Sequence, residues 1–162
     1  MRLMLTAAAI AIAVGATAAA QRALPDREQT PSDASIIDMC GARLAKVFAQ
    51  FGNPEEVYCI RASKPENDTV ALEYGSFNFR VRDKVVRICT FFSGWKGTIK
   101  GIKIGDSREQ TVSVLGPKQD SFKNEDGWDD YGWDLKASDA VLWIVFDKDD
   151  KVRTVTVELN LN

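Results

Sequence analysis

Apolar positions recur at spacings of three and four from Ile36 through Ile37, Cys40, Leu44, Val47 and Phe48 to Phe51, which predicts a helix with one buried face. Gly52-Asn53-Pro54 stops it, because glycine accepts a left-handed cap and proline cannot continue a helix. The period then falls to two. Strands are predicted at Val57 to Ile60, at Thr69 to Arg82 with an irregularity at Gly75, and at Lys84 to Phe92, with Asp83-Lys84 as the turn. Val70, Leu72 and Tyr74 alternate with other side chains in the second run, and Val86, Ile88 and Thr90 in the third, the signature of half-buried strands.

After Ser93-Gly94-Trp95-Lys96-Gly97 the pattern begins again. Asp106 is placed to cap a short helix, with Glu109 three residues on as a capping box requires. That helix passes through Val112 and Leu115 and stops at Gly116-Pro117. Ala140 to Phe146 reads as a strand, Lys148-Asp149-Asp150 as a turn, and Lys151 to Leu161 as the closing strand. Between helix and strands, the segment Lys123 to Asp134 follows neither period and predicts a loop. Phe77 falls on Ile144, Phe79 on Phe146, Val85 on Val152 and Ile88 on Val155 at a constant offset of 67, which points to an internal duplication. Neither unit alone buries enough surface to be robust. Together they predict an α+β fold: two tandem helix-plus-antiparallel-meander units, residues 36–95 and 96–162, forming a curved sheet with helices on one face.

The N-terminus carries a different pattern. Arg2 precedes an apolar run from Leu3 to Val14 broken only by Thr6, and Gly15 to Ala20 are small. This order predicts a cleavable signal peptide over residues 1–20, with the mature chain starting near Ala19 or Gln21. The apolar run is shorter than the roughly 20 residues a bilayer span needs. No cysteine lies near the junction to take a lipid anchor. Residues 21–35, polar and holding Pro25 and Pro31, read as a flexible leader. The expected location is periplasmic or secreted.

Charge and composition narrow the function. The 162 residues hold 21 basic and 23 acidic side chains, a formal net charge of −2 that becomes −3 when Arg2 leaves with the signal. No basic stripe offers itself to nucleic acid, and no polybasic patch to anionic lipid. There is no histidine, so the imidazole base and the commonest metal ligand are both missing. Gly94-Trp95-Lys96-Gly97 lacks the spacing of a phosphate-binding loop. No cofactor is expected and no metal, carboxylates for Ca²⁺ being the one open route. Glu125, Asp126, Asp129, Asp130 and Asp134 crowd one polar segment, which reads as a solvated face rather than an acid/base pair.

Cys40, Cys59 and Cys89 predict one bridge in an oxidising compartment and one cysteine left over. With Cys59 on the first strand of a meander and Cys89 on the third, two strand spacings of about 4.8 Å hold them roughly 9 to 10 Å apart. A bridge spans Cα separations only up to about 7 Å. Cys40, on the helix above the first strand, is therefore expected to pair with Cys59, leaving Cys89 free.

The segment Ile104-Gly105-Asp106-Ser107-Arg108-Glu109-Gln110-Thr111-Val112-Ser113-Val114-Leu115-Gly116-Pro117 resembles the short signature shared by small outer-membrane assembly lipoproteins of the SmpA/OmlA type and by the secreted β-lactamase inhibitor protein. Residues from about Gly101 to Leu161 are similar to the whole unit, while the first half keeps Phe51-Gly52-Asn53-Pro54 without the Gly-Asp-Ser start. The resemblance implies the duplicated helix-meander layout and a protein partner. The function expected is an exported soluble non-enzymatic protein-binding module, an inhibitor or immunity protein against an envelope or secreted enzyme; the alternative is a periplasmic structural or outer-membrane assembly factor. Trp128, Tyr131 and Trp133 offer large contact area with polar handles. Asp129, Asp130 and Asp134 beside them would steer a basic partner groove. A second reading of the same segment stays open, in which Trp133 and Tyr131 fold back to cap the core.

Overall fold

The computed structural model describes residues 38–135 and 139–160; the expected signal peptide and leader lie outside them. Helix α1 spans Leu44–Phe51 and buries Val47 fully. It is shorter than the sequence pattern predicted, because Gly41 takes φ 86° and its amide bonds to Val86 O at 2.9 Å. The chain there is a turn laid against the sheet. At the other end Gly52, φ 72°, caps as expected, its N–H donating to Phe48 O at 3.0 Å.

Eight antiparallel strands make one sheet: β1 (Glu56–Ile60), β2 (Thr69–Glu73), β3 (Phe77–Arg82), β4 (Val85–Phe91), β5 (Asp120–Lys123), β6 (Asp129–Leu135), β7 (Ala140–Phe146) and β8 (Val152–Leu159). Helix α2 spans Arg108–Leu115. The spatial order is β1-β2-β3-β4-β8-β7-β6-β5, so two four-stranded meanders meet where β4 pairs with β8. Two predictions change here. The single strand expected over Thr69 to Arg82 is a hairpin, closed at Gly75 (φ 74°) with Tyr74 N–H bonded to Phe77 O at 2.9 Å. The loop expected over Lys123 to Asp134 is also a hairpin, of β5 and β6, turning at Gly127 (φ 79°).

Hydrogen bonds recur between the halves. Gly41 N donates to Val86 O at 2.9 Å and Gly105 N to Val152 O at 2.8 Å; Leu44 N donates to Lys84 O at 2.8 Å and Arg108 N to Asp150 O at 2.9 Å. The bridge Arg43 to Val85 is matched by Ser107 to Lys151. The ladder slips between Arg80 and Val81 in one half, and between Val145 and Phe146 in the other. These matches do not follow the uniform offset of 67. Matching positions lie 64 apart in the helices (Leu44, Arg108), 65 in the third strands (Val81, Phe146) and 66 in the fourth (Val86, Val152). The step from 65 to 66 comes from the turns: Asp83 and Lys84, both with positive φ, close one hairpin in two residues, whereas Asp147 N bonds to Lys151 O across a turn one residue longer in the other.

The α2 cap also differs from expectation. Ser107 is the N-cap, accepting from Gln110 N, and the Gln110 side chain accepts from Ser107 N. Asp106 instead accepts from Lys103 N at 2.8 Å.

Among the described residues, both α-helices pack on one face of the curved sheet and leave its other face without a helix. On that face Phe79, Cys89, Phe91, Leu142, Ile144 and Val157 are buried with Met39, Val47, Ile99 and Ile102. Burial alternates strictly along β7, where Ala140, Leu142, Ile144 and Phe146 are buried and Val141, Trp143 and Val145 half-buried. The second set faces away from the helices. Among the described residues, no helix is long and apolar enough to cross a membrane.

Candidate functional site: the uncovered face of the sheet

The acidic aromatic segment divides across the pleat of β6. Tyr131 pairs with Ile144 and Trp133 with Leu142, so both belong to the helix side; Asp130, Gly132 and Asp134 pair with Val145, Trp143 and Val141 on the uncovered side. Trp133 is 5% exposed, and its indole N–H donates to Gly116 O at 3.2 Å, satisfying a carbonyl at the end of α2. The Tyr131 hydroxyl accepts from Arg108 Nη1 at 2.6 Å, and its ring lies edge-on to Phe146 at 5.3 Å.

Arg108 opens α2, where the helix dipole disfavours a cation. Asp129 at 2.9 Å and Asp150 at 2.6 Å compensate it. Burial works against the Arg108 charge, and the bonds to Asp129 and Tyr131 more than offset this, so its pKa lies above the ordinary value. Lys123, then Arg108, hold the Asp129 carboxyl below its usual range. Burial pushes Asp130 the other way, upward, against the hydrogen bond from Asn124. The three aromatics named from the sequence therefore do not form one patch. Trp128 stands apart from Tyr131 and Trp133, under the Arg153 guanidinium at 4.0 Å. Asp134 is exposed.

The uncovered face contains residues that the sequence reading did not single out. Phe122 of β5, 50% exposed, meets Trp143 of β7 edge-on at 5.3 Å. Trp143 lies over Gly132, where a Cβ would come within 2.6 Å of the ring. Thr90 and Thr156 face each other across the β4·β8 seam at 3.4 Å. Toward β1, the Tyr58 hydroxyl donates to Glu73 Oε1 at 2.6 Å, and Asn78 Nδ2 donates to the same oxygen at 3.0 Å. The bond to Glu73, then burial, raises the Tyr58 pKa. At the other end of β1 and β2, where Ile60 pairs with Thr69, a cleft of about 250 Å³ is lined by Arg80, Arg82 and Arg87. The alternation Asn78, Arg80, Arg82 within β3 was the available signal for part of this face.

The expected Cys40 to Cys59 pairing is corrected. Cys40 Sγ lies 3.2 Å from Cys89 Sγ, and Cys59 is exposed on the edge strand β1. The hairpin at Gly75 adds a strand, placing Cys89 on the fourth strand rather than the third, beneath the turn that carries Cys40. All three thiols are free in this structure. Among the described residues, no group of three or more Cys, Asp or Glu side chains is arranged to hold a metal ion.

No family model matches the chain, and no curated protein does. Solved structures do. An extracellular protein containing an SCP domain from Bacillus anthracis is 12% identical with a TM-score of 0.59, over 83% of this chain and 48% of that one. A cysteine-rich secretory protein from Staphylococcus aureus is 16% identical with a TM-score of 0.50, over 76% of this chain and 44% of that one. A DUF4309 family protein from Bacillus subtilis is 19% identical with a TM-score of 0.51, over 74% and 79%. The chain thus spans about half the length of the first two proteins, and at these identities the likeness is one of fold. It corrects the expected resemblance to SmpA/OmlA-type lipoproteins and the β-lactamase inhibitor protein: the likeness in fold runs to the SCP-domain extracellular protein, the cysteine-rich secretory protein and the DUF4309 protein. The Gly-Asp-Ser to Gly-Pro signature misled because it encodes a capped helix, a local device that unrelated chains share.

Proposed function

We propose that this chain is a periplasmic or secreted, non-enzymatic protein-binding module that holds its partner on the uncovered face of the sheet. One observation carries the reading: both helices cover one face, and the other presents Phe122 against Trp143 and Trp128 under Arg153, aromatic groups half in solvent. Such side chains supply contact area at low entropic cost and anchor many interfaces. The signal-like N-terminus supports export, as do the extracellular and secretory descriptions of two of the structural neighbours.

Of the residues named from the sequence, Trp128 and Asp134 are assigned to the contact face, and Asp130, on the same side but buried, lies beneath it. Asp129, Tyr131 and Trp133 are assigned to holding α2. The proposed mode of action is steric, a preformed face laid over a partner's groove as in an inhibitor or immunity protein. The two halves are read as copies of one helix-meander unit, supported by the recurring backbone bonds and the matched slips in the ladder.

Site-specific photo-crosslinking in envelope extract tests the face. A crosslinker replacing Phe122 captures one dominant protein, and one replacing Val114, 57% exposed on α2, does not. Equal capture from both positions, or capture from 114 alone, refutes the assignment.

A further inference from the structure

We propose that the arginine cleft receives a carboxylate of the protein partner, an Asp or Glu side chain flanked by an apolar residue. This rests on the reading that the uncovered face holds a protein. Arg80 and Arg82 come from β3, and Arg87 stands where β4 slips past β3, so three guanidinium groups line one cleft of about 250 Å³. Arg82 gives one Nη to Asn67 at 2.8 Å. Arg80 and Arg87 form no ion pair with a described residue, and the Nε of each is buried without a hydrogen-bond partner. Glu158, the one carboxylate on the wall, bridges to none of the three.

Buried donors without acceptors are costly to a fold, and their persistence calls for an explanation. A carboxylate brings two oxygens matched to the guanidinium fork. Ile60, Ile88 and Leu159 on the same wall add apolar surface, which favours an acidic side chain with an apolar neighbour over a bare inorganic anion. Arg80 and Arg82 have no arginine counterparts in the second half, where Val145 and Asp147 stand 65 positions beyond them.

Arginine Nε–H resonances provide the readout, with the peptides acetyl-Leu-Glu-Leu-amide and acetyl-Leu-Gln-Leu-amide and inorganic phosphate as probes. The Glu peptide shifts the Arg80, Arg82 and Arg87 signals saturably, the Gln peptide does not, and R80Q/R87Q abolishes the shift at the remaining Arg82 with circular dichroism unchanged. No shift, an equal shift with the Gln peptide, or a shift with phosphate alone overturns the proposal. Crosslinking from position 122 separates it from the wider reading. Parent-level capture in R80Q/R87Q sinks the carboxylate cleft and leaves the docking face; loss of at least tenfold supports both.

The sulfurs carry a second, independent inference: the geometry points to a Cys40–Cys89 disulfide in the exported protein, with Cys59 free. Closing from 3.2 Å to a bond of about 2.05 Å asks each sulfur to move well under an ångström. The backbone bonds Gly41 N to Val86 O and Val86 N to Ala42 O, both 2.9 Å, hold the two segments together without any bridge. Cys59, three strand spacings from Cys89, is out of reach at about 14 Å. With oxidised glutathione, or an exported dithiol oxidase in its disulfide form, the half-exposed Cys40 thiolate attacks and releases one thiolate. Cys89, deprotonating, then attacks the Cys40 sulfur and releases the second. Two protein thiols are oxidised and one disulfide is reduced. Burial pushes the Cys89 thiol up, which fits its place as the second attacker.

Non-reducing peptide mapping after incubation with oxidised glutathione gives a Cys40–Cys89 peptide in the parent and in C59S, with one thiol per parent chain left to titrate in denaturant. A dominant crosslink to Cys59, or three titrating thiols, overturns it.

Discussion

Gly132→Ala tests the packing of the proposed contact face at its tightest point. A Cβ there would lie 2.6 Å from Trp143 Cζ3 and 3.0 Å from Cε3 and Cη2. Ordinary contact begins near 3.4 Å, so the indole must rise by about 0.8 Å or the strand must bend. Overpacking of this kind costs about 1–3 kcal/mol. Against it, alanine in a strand interior gains about 0.5–1 kcal/mol over glycine, since Gly132 is in ordinary extended backbone with no positive φ to protect. The net expectation is a loss of up to about 2.5 kcal/mol. In a Trp143→Leu background the clash is gone and only the backbone gain remains, so the same substitution stabilises by a few tenths of a kcal/mol up to about 1. Urea unfolding of the four proteins, compared at equal m-value, measures the sign change. An equal effect of Gly132→Ala in both backgrounds would show that Trp143 does not lie on Gly132, and the order of the uncovered face would be wrong.

Neighbouring acids give opposite pH signs. Asp129 has its pKa depressed by Lys123 and Arg108, so its contribution is present at neutral pH and lost as pH falls through the folded value; D129N destabilises at pH 7 and matches the parent in acid, by urea midpoints across pH. Asp130 is raised by burial, so the folded state favours its protonated form and stability falls as pH rises through the folded value; D130N raises the midpoint at pH 7 and the gain vanishes in acid. Trp133→Ala, removing a ring 5% exposed, costs about 3–5 kcal/mol in thermal or urea unfolding, while Trp133→Phe keeps one six-membered ring in place of the indole, loses the bond to Gly116 O and costs about 1–3. Ser107→Ala breaks the reciprocal cap of α2 and costs about 1 kcal/mol; an unchanged midpoint would mean the cap is idle.

The legible parts of this fold were those in which one local rule acted alone. Gly52 and Gly116 stop helices in the sequence and in the structure, and β7 could be read directly because its alternation is unbroken. The hairpin at Gly75 was hidden because Tyr74 and Phe77 both turn inward and continue the apolar pattern across the turn; their rings stack at 5.3 Å. In β6 the alternation was masked because Gly132 has no side chain on the uncovered face and Asp130 is an acid in a buried position. Each missed turn changed a count of strands, and the disulfide argument inherited the error, since a distance across a sheet scales with the number of strands crossed. The arginine cleft depends on the slip beside Val81, a tertiary detail that brings Arg87 to the same cleft as Arg80.

The seam between β4 and β8 sets how this molecule fails. Every other strand pair joins neighbours in sequence, whereas Ile88 meets Glu158 across 70 residues and Phe91 meets Val155 across 64. Local hairpins close early and distant pairs late, because loop closure must precede contact. Until β8 arrives, each half presents one bare, apolar strand edge, β4 in the first and β8 in the second, and such an edge accepts any strand that offers hydrogen bonds. The complementary edge on a second chain is as good a partner as the one in the same chain. At high concentration during refolding, the product that competes with the monomer is therefore a strand-exchanged dimer joined at the seam, each half completed by its neighbour.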